Sequence, residues 1–161
     1  MSIVITGASG HLGRLIVDQL LAEGTPPERI VATGRDIGKL ADLAQNGVTV
    51  RRADFADPST LDQAFAGAEA MVLVSTTTVG ERFDNARNAI DAARRAGVSR
   101  IVYTSLLNAS TAQMTLAEAH RRTEDYLRGS GVAFVILRNG WYLENYTDQL
   151  PMITQYHALL G

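Results

Sequence analysis

Thr6-Gly7-Ala8-Ser9-Gly10-His11-Leu12-Gly13 is the stretch on which the reading of this chain turns. It follows the apolar run Ile3-Val4-Ile5, which reads as a buried strand. It runs into Leu12, Leu15, Ile16 and Leu20, which recur on one face of a helix. The glycines thus stand where a strand turns into a helix, and that context makes them informative. Gly7 supplies a tight turn with positive φ, Gly10 lets backbone approach a ligand with no Cβ in the way, and Gly13 lets the helix pack close to the strand. The free amides and the positive dipole end at the helix start favour a pyrophosphate. A plain glycine-rich turn carries the same residues, but between this strand and this helix dinucleotide binding is the better reading.

Composition narrows the classes around that stretch. The 161 residues suffice for one domain with a sizeable core. A domain near this size buries roughly 68–70% of the surface its unfolded chain exposes. A hydrophobic share of 46% argues against disorder. The net charge of −2 shows no basic excess, so nucleic acid is not the expected partner. The absence of cysteine excludes disulfides, thiolate chemistry and Cys-ligated metals, and it matches a reducing cytoplasm, the expected location. No apolar run reaches about 18 residues, so no membrane span is expected. The N-terminus enters a strand at once and shows no signal-peptide pattern. No histidine spacing matches a zinc site, and no metal is expected.

Strands and helices alternate along the rest of the chain. Strand signals fall at about 2–6, 30–33, 48–50, 70–74, 101–104 and 133–137. Helical patterns fall at about 11–23, at 83–96 with Ala86, Ala89, Ile90 and Ala93 facing inward, and at 115–128 with Leu116, Ala119, Thr123 and Leu127 on one side. Shorter ones follow Asp36, read as an N-cap, and Asp57-Pro58-Ser59. The tail from residue 143 looks helical, with Pro151 as a break. This alternation predicts an α/β fold, a Rossmann-like doubly wound parallel sheet with helices on both faces and the strand order 3-2-1-4-5-6. It is read as one domain over residues 1–161. Ligands then lie outside the carboxyl ends of the strands, where the order reverses.

Candidate site residues cluster at those strand ends. Arg35 follows the second strand, where an NADP-binding protein places a cation for the 2′-phosphate, and its planar fork matches that group. Its neighbour Asp36 is accounted for by capping. Asp54 follows the third strand and can accept from an adenine amine with Phe55 beside the ring; a turn Asp bonded to its own backbone fits equally well. Ser75, Thr76 and Thr77 end the fourth strand beside the first turn, and Tyr103-Thr104-Ser105 end the fifth in the same layer. Trp141 and Tyr142, after the sixth strand, can wall a planar ring or cap the core. His120 with Glu124 one turn later reads most simply as a surface i,i+4 pair. His11 is read as a backbone contributor, and His157 is assigned nothing.

The glycine spacing T-G-x-x-G-x-x-G belongs to short-chain dehydrogenase/reductase-like folds. Together with Arg51-Arg52-Ala53-Asp54, Tyr103-Thr104-Ser105-Leu106-Leu107, Glu118-Ala119-His120 with Glu124, and Arg138-Asn139-Gly140-Trp141-Tyr142, it makes the chain resemble NmrA-like atypical short-chain dehydrogenases/reductases. Within these, the bacterial type-2 NAD(P)H:quinone oxidoreductases are the nearest in pattern. The resemblance implies a Rossmann fold, NADPH as cofactor and a quinone as hydride acceptor. It maps cofactor contacts onto Gly7, Ala8, Ser9, Gly10, His11 and Leu12, onto Arg35, onto Ser75 to Thr77, and onto Asn139, Gly140, Trp141 and Tyr142. The wider superfamily uses Tyr-x-x-x-Lys; here those positions hold Leu116 and His120, so the usual proton-donating Tyr is absent. A quinone spreads incoming charge over a conjugated ring, which weakens the need for an acid. Tyr103 and the segment from Asn139 to Tyr142 are then expected to wall the acceptor ring, with His120 as an accessory donor or orienting group. Family members also continue into a smaller substrate lobe that these residues do not contain. Without it, apolar surface above Trp141 and Tyr142 is expected to be exposed and to favour self-association. An NADP-binding redox sensor of NmrA type and a triphenylmethane dye reductase resemble the chain in the same motifs.

Overall fold

The computed structural model describes residues 2–76, 78 and 80–156. Each apolar run becomes a strand: β1 (Ile3–Ile5), β2 (Ile30–Gly34), β3 (Thr49–Arg52), β4 (Ala70–Leu73), β5 (Arg100–Leu106) and β6 (Ala133–Asn139). They form a six-stranded sheet in the order β3-β2-β1-β4-β5-β6, with every neighbouring pair parallel. The helices between them are α1 (His11–Ala22), α2 (Ala41–Gln45), α3 (Leu61–Phe65), α4 (Arg82–Arg95) and α5 (Thr115–Arg128); α6 (Glu144–Thr147) and α7 (Leu150–Tyr156) follow β6. This is the doubly wound order that the alternation predicts. The order reverses at β1, where Ile3 pairs with Ile30 on one side and Ala70 on the other. A crevice opens beyond the carboxyl ends of β1 and β4.

Both faces of the inner strands are covered, which is why these are continuous apolar runs, whereas β6 at the edge leaves Phe134, Val135 and Leu137 exposed. Val4, Val31, Met71 and Ile101 pack with Phe65, Ile90 and Leu127 on one face. Ile5, Ile30 and Ala32 pack with Val17, Leu40 and Leu43 on the other. Neighbouring residues of β1 therefore serve opposite cores, as the two-residue period of a strand requires. Asp36 and Asp57 each cap a short 3-10 turn that leads into α2 and α3: the Gly38 amide donates to Asp36 Oδ1 at 3.0 Å, and the Ser59 amide to Asp57 Oδ1 at 3.2 Å.

Some local expectations are revised. α1 buries Gly13 and Val17, while Leu15 is half exposed, because Gly13 rather than a leucine lies against the turn that follows β1. α5 buries Ala117, His120, Thr123, Glu124 and Leu127, a face rotated away from Leu116 and Ala119. Hydrophobicity favoured the latter pair, but two polar side chains go inside because partners await them there. Pro151 does not break the tail. It sits in the first turn of α7, where a missing amide hydrogen leaves no bond unmade, and the break falls at Asp148 and Gln149. His157 lies outside the described residues.

Candidate functional site

The glycine turn is held by its neighbours before any ligand is considered. Thr6 is buried; its hydroxyl donates to the Val72 carbonyl at 3.2 Å and accepts from the Val74 amide at 2.9 Å, which fixes the end of β1 to the end of β4. Gly7 takes φ +62°, the left-handed region that a side chain disfavours. A Cβ on Gly13 would lie 2.6 Å from the Gly7 carbonyl carbon and 2.9 Å from Ala8 Cα, so any side chain there pushes α1 off the turn. No side chain caps α1. The amides of His11, Leu12 and Gly13, in its first turn, have no carbonyl one turn earlier to bond, and they stand at the positive end of the helix.

A cleft of about 720 Å³ runs from this turn across the carboxyl ends of the strands. It brings together most of the residues expected there. Gly7, Ser9, Gly10, His11 and Leu12 form one wall, and Arg35, Asp54 and Phe55 continue it at the ends of β2 and β3. Ser75 and Thr76 lie after β4, and Asn139, Gly140, Trp141 and Tyr142 close the far side after β6. Asp54 lines the cleft, and its Oδ1 accepts from the Ala56 amide at 3.1 Å, the local turn bond that its second reading expects. Trp141 and Tyr142 are exposed at the mouth, and the Tyr142 hydroxyl accepts from Asn139 Nδ2 at 2.8 Å. His11 contributes more than backbone: its Nε2 lies 3.7 Å from the Glu144 carboxylate of α6.

Other expected residues do not take the places given them. Ala8 is fully buried and its amide donates to the Thr33 carbonyl at 2.9 Å, so it anchors the turn and does not face the cleft. Gly10 lines the cleft, but its amide donates to the Gly7 carbonyl at 2.9 Å, which leaves anion contact to the amides after it. Thr77 lies outside the described residues. Tyr103 walls nothing: it is 0% exposed and belongs to the core beneath the cleft. A strand side chain points to one face of the sheet, and that of Tyr103 points under α5.

His120 lies on the floor of the cleft, only 4% exposed, and makes no pair with Glu124. Its Nδ1 lies 2.7 Å from the Tyr103 hydroxyl. Burial, and then the Arg82 cation, push its pKa down to about 4 against a smaller opposing pull from Glu124, so it is neutral near pH 7. Burial pushes the Tyr103 phenol up to about 12 against weaker opposing effects of Thr123 and Arg82. Glu124 turns instead to Arg138, Ser105 and Arg128: Arg138 grips both carboxylate oxygens at 3.0 and 2.6 Å, Ser105 donates at 2.6 Å and Arg128 at 2.8 Å. Burial alone would raise the Glu124 pKa, but these donors outweigh it and hold it down at about 2. The cluster pins the end of β6, and with it the segment that carries Asn139 to Tyr142.

Arg82 and Asn85, at the start of α4, also line the cleft and were not expected there. Arg82 donates to the Thr76 carbonyl, and burial lowers its pKa without threatening its charge. A cation in the first turn of a helix opposes the helix dipole, and that misfit is the signal in the sequence that marks it. The Thr76 hydroxyl is buried in the wall with no hydrogen-bond partner among the described residues.

A parallel sheet with a glycine turn at its switch point, uncapped amides at the start of α1 and an orphaned hydroxyl opposite defines a dinucleotide-binding domain. The residues fit such a group: the turn is a cradle that side chains would fill, and Thr76 lacks the partner that a ligand brings. The chain belongs to the NAD(P)H-binding family, whose sequence profile matches residues 7–159. It is 43% identical over 159 residues to quinone oxidoreductase 2 of Escherichia coli, spanning 99% of this chain and 55% of that protein. The structure of NADPH-dependent quinone oxidoreductase from E. coli in complex with NADPH superposes with a TM-score of 0.89 over 99% of this chain and 56% of that one, at 43% identity. Triphenylmethane reductase from Citrobacter sp., complexed with NADP(H), gives a TM-score of 0.86 at 35% identity over 90% of this chain and 51% of that one. An NmrA-like family domain-containing oxidoreductase of Aspergillus flavus is 31% identical over 91% of this chain and 50% of its own length. The chain thus spans about half the length of these relatives. The resemblance to NmrA-like reductases read from the motifs is borne out. No described helix is long and apolar enough to cross a membrane.

Proposed function

We propose that this chain forms the cofactor-binding part of an oxidoreductase that passes a hydride from NADPH to a quinone, in the cytoplasm. The observation that carries this reading is the pairing of the glycine cradle and Arg35 at one end of the cleft with a neutral His120 and Leu116 at the other. Bound NADPH supplies the hydride. The α1 amides hold the pyrophosphate, Arg35 holds the 2′-phosphate, and the second oxygen of Asp54 remains for the adenine amine beside Phe55. Ser75, Thr76 and Asn139 bound the space left for the nicotinamide, with Gly140, Trp141 and Tyr142 on its outer side. The quinone gains the two electrons and proton of the hydride and takes its second proton from water. Its product is phenol-like, with a pKa near the ordinary Tyr value of about 10, so no strong acid is required where Leu116 stands. The protein's task is to hold the two rings in an attack geometry, with His120 Nε2 hydrogen-bonded to the acceptor carbonyl.

Titration with NADPH and NADH, followed by steady-state NADPH oxidation with a small quinone, tests this. NADPH binds more tightly, and Arg35→Ala removes mainly that preference, by roughly ten- to a hundredfold in affinity. Equal loss for both cofactors overturns the Arg35 assignment, and NADPH binding without turnover favours a sensor. A cationic dye is the second acceptor to try, because Glu81, Glu144 and Asp148 line the cleft and the triphenylmethane reductase shares the fold.

A further inference from the structure

The geometry points to Tyr103 as a positioning residue whose buried phenol holds His120 in one tautomer, with the Nε2–H presented to the cleft as a donor for the acceptor's carbonyl oxygen. The identity of that acceptor rests on the quinone reading; the tautomer does not.

An imidazole has two nitrogens, and a neutral one carries its proton on either. In His120, Nδ1 is taken by the Tyr103 hydroxyl at 2.7 Å, and the residue lines the cleft. Nε2 is therefore the nitrogen left for a ligand. Which nitrogen bears the proton depends on the direction of the Tyr103 bond. A phenol is the stronger acid of the two and an imidazole nitrogen the stronger base, so the phenol donates and Nδ1 accepts. The only proton of the neutral ring is then on Nε2. Neither group leaves this state near pH 7, since burial keeps the phenol protonated and the imidazole neutral. Thr123, whose hydroxyl also lies against the phenol, directs its own hydrogen to the Ala119 carbonyl at 2.9 Å; its oxygen is then a second acceptor for the phenol's proton, and a weaker base than Nδ1.

The placement is rigid on both sides. Tyr103 lies inside β5, paired with Leu73 of β4 and Ile136 of β6, and its position is set by the sheet. His120 lies on α5, which packs across β5. The ring centroids are 5.8 Å apart with planes tilted by 37°, so hydroxyl and nitrogen meet edge to edge and the rings do not stack. Arg82 donates to the Thr76 carbonyl nearby and disfavours a second proton on the imidazole. The phenol thus acts on the cleft without touching it, in place of the Tyr that the wider superfamily puts in direct contact with substrate.

Long-range ¹H–¹⁵N spectra of histidine-labelled protein at pH 7 test this directly. His120 is assigned among the 3 histidines by the signal lost in His120→Gln. The wild type is expected to show His120 with its proton on Nε2, and Tyr103→Phe to show a mixture of the two tautomers. A wild-type proton on Nδ1, or an unchanged tautomer in Tyr103→Phe, overturns the proposal; the first of these does not depend on Tyr103→Phe folding. In the quinone assay, Tyr103→Phe lowers kcat by about threefold, the order of one neutral hydrogen bond, and leaves the NADPH dissociation constant unchanged. A matching loss of NADPH affinity shows a structural role instead and overturns the proposal. Failure of the quinone reading is distinguishable: the wild type then turns over no quinone, and the tautomer spectra still decide the role of Tyr103.

Discussion

His120 and Glu124 stand one turn apart on the same face of α5, 4% and 1% exposed, yet they carry opposite charge states near pH 7. His120 is neutral and Glu124 is ionised. The helix treats the two alike; what differs is what faces them across it. His120 meets a phenol that offers no countercharge, and a cation, Arg82, that opposes its protonation. Glu124 meets two guanidinium groups and a hydroxyl, which together replace the water it has lost. A buried titratable group keeps its charge only where the fold supplies its solvation shell. The pair also divides the labour around the cleft. Glu124 holds β6 and the segment after it in place, and His120 faces the cleft.

The harshest way to break this contrast is to remove the charge that is satisfied. Glu124→Ala leaves Arg138, Arg128 and Ser105 without their common partner and should cost about 2–3 kcal/mol: the lost carboxylate is buried and charge-paired, but the two arginines are partly exposed and regain water. Chemical denaturation measures it, and a cost below about 1 kcal/mol would mean the cluster is no more than a surface array.

Acid separates the two groups by window. The folded pKa of His120, about 4, lies below its ordinary 6.5, so between these values the unfolded chain binds a proton that the folded chain does not. Stability therefore falls as pH drops from 6.5 to 4, by on the order of 3 kcal/mol. The Glu124 pKa moves from 4.5 to about 2, so its contribution is intact above 4.5 and is lost as pH falls towards 2. His120→Gln should flatten the upper window only and Glu124→Gln the lower window only. If either variant flattens both, the two groups titrate as one.

Arg138→Lys is a milder intervention. It keeps the charge but not the fork that spans both oxygens of Glu124. Its melting temperature should fall by less than that of Glu124→Ala; an equal fall would show that bidentate geometry, more than charge, holds β6. The smallest effect is expected at the catalytic end. In the proposed quinone reaction, His120→Ala should lower turnover by about tenfold without abolishing it, because a neutral donor would only assist a step whose charge the quinone already spreads. A loss of several orders of magnitude, with folding and NADPH affinity intact, would make His120 an essential acid.

The half of the cleft around the glycine turn was legible in the spacing of its residues, whereas resemblance alone put His120 at the other end, and its burial against Tyr103 was not legible. Strand, turn and helix are contiguous around the glycines, so the spacing of Gly7, Gly10 and Gly13 already implies who touches whom. Arg35 and Asp54 were found in the same way, as the first polar residues after a strand. On α5, the four-residue spacing of His120 and Glu124 suggested a surface pair, since the partners that separate them come from β5 and β6 and leave no local trace. Tyr103 was misplaced for a related reason: the end of a strand marks the layer of the site but not which face its side chain takes.

The linear order of residues was enough to establish the parallel doubly wound sheet, the place of the cleft at its switch point and the glycine cradle. These follow from periodicity and turn chemistry over neighbouring positions. Only folding decided that His120 is buried and neutral while Glu124 is buried and charged, and that Arg82 faces the same cleft. Those outcomes depend on desolvation and on charges brought together from distant parts of the chain, and both quantities come into being when the core closes.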